Sequence, residues 1–141
     1  MERLTDKLKE IEQYLQELSE IIPENYLDYA NDIKTKAACE RYFEKIIEAV
    51  VDAAFLVIKE KELDIPEDDK EAFDILLNEN IISEELAGNL KDAKGMRNLI
   101  AHKYGSVDDE VVFRSITEEL ERDVKSFVKS LKNKLKPEQI I

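Results

Sequence analysis

The chain has no tryptophan, one cysteine, one histidine, three glycines and three prolines among its 141 residues. Each shortage removes a class of protein. A lone cysteine, Cys39, cannot close a disulfide within one chain, which fits a reducing compartment. One histidine and one cysteine cannot build a zinc site, and no glycine-rich phosphate loop is present, so neither a metal nor a cofactor is expected. Long apolar runs are missing too. The most apolar stretch, Ala49 to Ile58, is interrupted by Asp52 and is too short to span a bilayer. The segment Met1 to Lys7 is charged and has no apolar core, so it does not read as a signal peptide. These features together predict a cytoplasmic protein with no membrane partner.

Positive charge is also scarce: 21 Lys and Arg stand against 33 Asp and Glu, a net charge of −12. That argues against a protein that coats nucleic acid non-specifically, because phosphate contacts need Lys and Arg. Such an acidic body serves solubility and suits a basic protein partner. One stretch departs from it. Between Lys91 and Tyr104, the cations Lys91, Lys94, Arg97 and Lys103 face Asp92 alone, a local net of +3. A small positive island on an acidic body suits a focused anion site.

What is present is helical periodicity. Leu4, Leu8, Ile11, Leu15, Leu18 and Ile22 form one apolar seam, which predicts a helix from about Glu2 to Ile22, ended by Pro23. A long second helix is expected from Asn25 or Asp28 to Glu62. Its early part is amphipathic through Ala30, Ile33 and Ala37. Its later part, Ile46 to Ile58, is apolar nearly all round. So wide an apolar surface is hard to cover within a small chain, and it predicts a homodimer. After the acidic loop Asp64 to Asp69, a short helix carries Phe73, Leu76 and Leu77. Ser83 reads as the N-cap of the next helix, which carries Leu86, Leu90, Ala93, Arg97 and Ile100 and stops at Gly105. The last helix starts near Asp108 or Asp109. Its seam is Phe113, Ile116, Leu120, Val124, Phe127, Leu131 and Leu135, and Pro137 closes it. The expected fold is all-α: residues 1–141 form one domain, an antiparallel bundle of four main helices plus one short helix.

Arg97 is the anomaly in this pattern, because it falls in the middle of an apolar arc. Desolvating a charge costs several kcal/mol unless it is paired. Arg97 therefore either snorkels past its neighbours or faces a polar cleft. His102 lies about 140° away round the same ideal helix, whereas Asn98 and His102 share a face. Arg97 and His102 can be combined if Arg97 curls along a groove, if the helix distorts near Gly95, or if two subunits contribute. Chemically, an imidazole that moves a proton near neutral pH and a guanidinium that grips phosphate suit phosphodiester cleavage without metal. RNA supplies its own 2′-hydroxyl nucleophile. A lone histidine late in a helix can also be a solvent-exposed or capping residue, and the arginine a surface ion-pair partner. Tyr26, Tyr29, Tyr42 and Phe43 read as core or interface.

The stretch Arg97-Asn98-Leu99-Ile100-Ala101-His102-Lys103-Tyr104 resembles the signature of the HEPN superfamily, and its R-x4-H-x-Y form resembles the HepT-like branch. Helix order, length and the position of the motif before the last helix resemble that branch as well. The resemblance implies a ribonuclease toxin of a two-gene toxin–antitoxin system that acts as a homodimer. Arg97 and His102 would be its catalytic pair and Asn98 an auxiliary polar residue. It implies a minimal nucleotidyltransferase as antitoxin, which silences the toxin by transferring AMP to Tyr104. The alternative is a non-catalytic helical subunit that binds a nucleotide or substrate for a separate nucleotidyltransferase. A helical dimer with no site is a third reading.

Overall fold

The computed structural model describes residues 2–102 and 108–135, and among them there is no strand. The helices are α1 (Glu2–Ile21), α2 (Tyr26–Ala30), α3 (Ile33–Glu60), α4 (Asp69–Asn78), α5 (Glu84–His102), α6 (Asp109–Arg114) and α7 (Glu121–Lys134). A π-helical segment, Ser115–Leu120, joins α6 to α7. The four main helices of the expected bundle are thus α1, α3, α5 and the run from α6 to α7.

The core follows from the seams. Leu4, Leu8, Ile11, Leu15 and Leu18 of α1 are buried, and α1 packs along α3. The other sides of α3 are covered by α4 and α5. Phe73 of α4 and Phe127 of α7 meet edge to face, with ring centroids 6.4 Å apart.

The second helix is not continuous. Asp32 leaves the helical region, and its carboxylate accepts from the Lys34 and Thr35 amides and from the Thr35 hydroxyl. A side chain that satisfies the first amides of a new helix ends the old one. Asn25 caps the short α2 in the same way, accepting from the Asp28 amide. The break rotates the chain, so Ile33, expected on the apolar face, is 79% exposed. Tyr29 is buried instead, packed against Phe113 at 5.1 Å.

Most of the apolar girth of α3 is covered within the chain. Ile46, Ile47, Val50, Ala53, Ala54 and Val57 are all sealed from solvent. Phe55 and Leu56 of the same run stay only partly buried, so α1, α4 and α5 cover most of this helix and leave part of one side open. The last helix also differs from a plain α-helix. The π-helical segment keeps Ile116 and Leu120 buried, while the Thr117 hydroxyl donates to the Phe113 carbonyl at 2.8 Å.

Cys39 lies on the buried face of α3, and burial, with Glu40 nearby, pushes its thiol up to about 11. The thiolate is the reactive form. Native protein at pH 8 is therefore expected to leave a thiol-specific dye unreacted for as long as it stays folded, and to take up one equivalent in guanidinium. Rapid labelling of folded protein would show that this face of α3 opens.

Candidate functional site

The site is built on α5. Ser83 opens the helix, its hydroxyl accepting from the Leu86 amide at 3.1 Å, and Glu84 and Glu85 occupy the first turn. Leu86, Ala87, Leu90 and Ile100 face the core. Two ion pairs then lock α5 to α4: Lys91 to Asp74 at 2.8 Å, and Lys94 to Asp69 at 2.9 Å.

Arg97 does not snorkel into open solvent. Its side chain is mostly buried, and its Nη2 donates to Oε1 of Glu48 on α3. Its Nη1 reaches Oδ1 of Asn98 at 3.5 Å, at the outer limit of a hydrogen bond. Its Nε is buried and donates to nothing among the described residues. The guanidinium is therefore gripped at one nitrogen and has donors to spare, since arginine carries five N–H groups.

The positive island is thus not a free positive patch. Lys91, Lys94 and Arg97 each carry a carboxylate partner from α4 or α3. Lys103 lies outside the described residues, as do Gly105, the expected stop of α5, and Tyr104. Among the described residues of the island, what remains for an anion is a set of unused donors on a guanidinium that is already paired.

His102 is the last residue of α5 and is exposed. The helix runs without interruption through Gly95, so no distortion swings His102 towards Arg97. On such a regular helix the two positions leave the axis about 140° apart, while the half-buried Asn98 shares the face of the His102 position. One chain therefore does not gather Arg97 and His102 on one face. Leu99, between them in sequence, is an apolar side chain left 46% exposed.

Two residues that sequence reasoning missed matter here. Glu48 was hidden in an apolar run, yet it and Asp52 are the only charges from Ile46 to Ile58. Each has a cation on a neighbouring helix, Asp52 with Lys7 of α1 at 3.5 Å. A lone charge in such a run was the available signal. Asp123 of α7 is the second. It is buried, and it accepts from Asn89 of α5 at 3.2 Å and from Arg122 at 3.1 and 3.3 Å. It lines a cavity of about 210 Å³ with Met96, Ser115 and Glu119. With its oxygens satisfied it acts as a tether between α5 and α7, and neither Arg97 nor His102 lines that cavity. Among the described residues no group of three or more His, Cys, Asp or Glu is placed to hold a metal ion. No described helix is long and apolar enough to cross a membrane.

Comparison with known proteins adds a family. The family model described as ribonuclease HepT-like matches residues 11–131. The chain is 29% identical over 89 residues to the mRNA nuclease HepT of Shewanella oneidensis, covering 63% of this chain and 66% of that protein. It is 26% identical over 111 residues to the tRNA nuclease HepT of Aphanizomenon flos-aquae, covering 79% of this chain and 76% of that one. Among solved structures, a tri-AMPylated HEPN toxin of Shewanella oneidensis in complex with its MNT antitoxin superposes with a TM-score of 0.88. That match covers 95% of this chain and 100% of the toxin at 22% identity, so it speaks to the fold.

Proposed function

The chain belongs to the HepT-like ribonuclease family, and from that premise we propose that it is a metal-independent endoribonuclease, the toxin of a two-component system. Arg97 and His102 are its catalytic pair and Asn98 an auxiliary polar group. The observation that carries this reading is the state of Arg97. It is a mostly buried guanidinium, held at Nη2 with Nε unpartnered, on the helix that ends in an exposed His102.

The chemistry follows from those groups. The His102 imidazole takes the proton of the RNA 2′-hydroxyl. The 2′-oxygen bonds to phosphorus, and the bond from phosphorus to the 5′-oxygen breaks. Charge building on the non-bridging oxygens is met by the guanidinium of Arg97, whose fork matches phosphate. The leaving 5′-oxygen takes a proton from an imidazolium. The products are a 2′,3′-cyclic phosphate and a 5′-hydroxyl.

The protein acts as a homodimer. Two copies of α5 facing each other would bring the Arg97 of one towards the His102 of the other, and would cover Leu99. That arrangement answers the separation of the two positions round the helix. The partner is a minimal nucleotidyltransferase that uses ATP to place AMP on Tyr104, and the setting is the cytoplasm.

The pairing of Arg97 with Glu48 also favours a second reading, a nucleotide-binding subunit with no nuclease of its own. Incubating RNA with the purified protein in the presence of a strong chelator separates the two. The expected outcome is cleavage to fragments with cyclic-phosphate 3′ ends. Intact RNA together with calorimetric ATP binding that requires Arg97 would support the second reading.

A further inference from the structure

We infer that Glu48 is the positioning residue for the Arg97 guanidinium, fixing its orientation towards the RNA phosphate. This rests on the ribonuclease reading of Arg97 given above.

Glu48 is mounted on a closely packed stretch of α3. Ile46, Ile47, Ala49 and Val50 around it are buried, so α3 cannot shift or roll without opening the core. Arg97 leaves a different helix, and its guanidinium sits at the end of a long flexible stem. Among the described residues only Glu48 offers it a strong acceptor, since the contact to Asn98 is 3.5 Å long. The chain carries 33 carboxylates, so a guanidinium cut loose from Glu48 would have many alternative partners across an acidic surface. A carboxylate on a fixed scaffold selects one orientation from that set.

The pair is also built to leave the arginine usable. Glu48 takes a hydrogen bond from Nη2 alone, not from two nitrogens, so the fork is not consumed. The buried Nε has no partner, a cost that a ligand accepting from that edge would remove. A carboxylate acting instead as a competitor for the phosphate would have the opposite kinetic signature: it would weaken RNA binding and leave turnover unaffected once RNA is bound.

The experiment is steady-state cleavage of a defined RNA by wild type, Glu48→Gln, Glu48→Ala and Arg97→Ala, each checked for folding by thermal melting. Misplacement of a catalytic group by about 1 Å costs on the order of a hundredfold, and a neutral acceptor holds an arginine about half as strongly as a charged one. Glu48→Ala is therefore expected to lose about a hundredfold in kcat and the isosteric Glu48→Gln about tenfold, both with KM within about twofold of wild type. Wild-type kcat in Glu48→Gln, or a lower KM at unchanged kcat in either variant, overturns the inference. If Arg97→Ala is inactive while Glu48→Gln matches wild type, only the role of Glu48 fails. If Arg97→Ala itself cleaves as wild type does, the ribonuclease site has been misplaced.

Discussion

Arg97→Ala is expected to cut RNA about a hundred to a thousand times more slowly than wild type, the usual cost of removing one donor that stabilises transition-state charge. His102→Ala is expected to lose about 10² to 10⁴, the range for a positioned general acid or base. Neither loss should come from unfolding. His102 is exposed at the end of α5. Arg97→Ala leaves Glu48, which is 41% exposed and keeps its contact with water. It also removes the unpartnered Nε. Breaking a pair with one mostly buried partner costs between about 0–1 kcal/mol, as for an exposed pair, and about 3–5 kcal/mol, as for a fully buried one. A urea melt of Arg97→Ala should therefore show a loss between these values, and that of His102→Ala should stay close to wild type. Arg97→Lys is informative beside them. It keeps the charge and loses the planar fork, so it should remain far below wild type if bidentate grip on phosphate is what counts. Cleavage by Arg97→Ala at the wild-type rate, with the fold intact, would remove the arginine from the mechanism.

The second large effect is expected at Tyr104, two residues beyond His102 and outside the described part of the structure. Incubation with ATP and the partner nucleotidyltransferase should add AMP to the Tyr104 hydroxyl. The oxygen bonds to the α-phosphorus of ATP and pyrophosphate leaves. Each adenylate brings a negative phosphate and a bulky nucleoside to a position two residues beyond His102. A phosphate there would compete with RNA for the spare donors of Arg97 and repel the incoming backbone. Intact mass should rise by whole adenylate units, and RNA cleavage should fall to background in step. Tyr104→Phe should show no rise and should stay active in the presence of the partner. A Tyr104→Phe protein that gains the same mass would move the modification to another residue. Full cleavage by fully modified protein would remove its inhibitory role.

Much of this was legible in the residue pattern, and the failures have physical causes. The seams of α1, α5 and the last helix were readable because leucines and isoleucines recur at three- and four-residue steps and leave one face to bury. Ser83 and Asp108 were readable as caps because short oxygen-bearing side chains beside an apolar seam have few other uses. The break at Asp32 was not. It sits inside an otherwise helical pattern, and its three accepted hydrogen bonds exist only once Thr35 has turned back onto it. How far α3 is covered within the chain was not legible, because the width of an apolar face says nothing about how many neighbouring helices reach it; Phe55 and Leu56 are the part left half open.

At the site, the residue types were legible and their partners were not. Arg97 stood out as a charge on an apolar seam. That its counter-charge is Glu48, from a helix about fifty residues earlier, is a tertiary fact. The same holds for Lys91 and Lys94. Their charge was visible, but their neutralisation by Asp74 and Asp69 depends on how α4 docks against α5. The basic island is therefore a local excess in sequence and a set of interhelical ties in space.

The proposed dimer completes one ribonucleolytic centre with Arg97 from one subunit and His102 from another. Co-expressing Arg97→Ala and His102→Ala chains tests it most directly, because a mixed dimer then holds one intact Arg97–His102 combination across the interface. The account predicts that each variant alone is inactive and that the mixed preparation, separated by differential tags, regains RNA cleavage. A purified mixed dimer as inactive as its parents would contradict it.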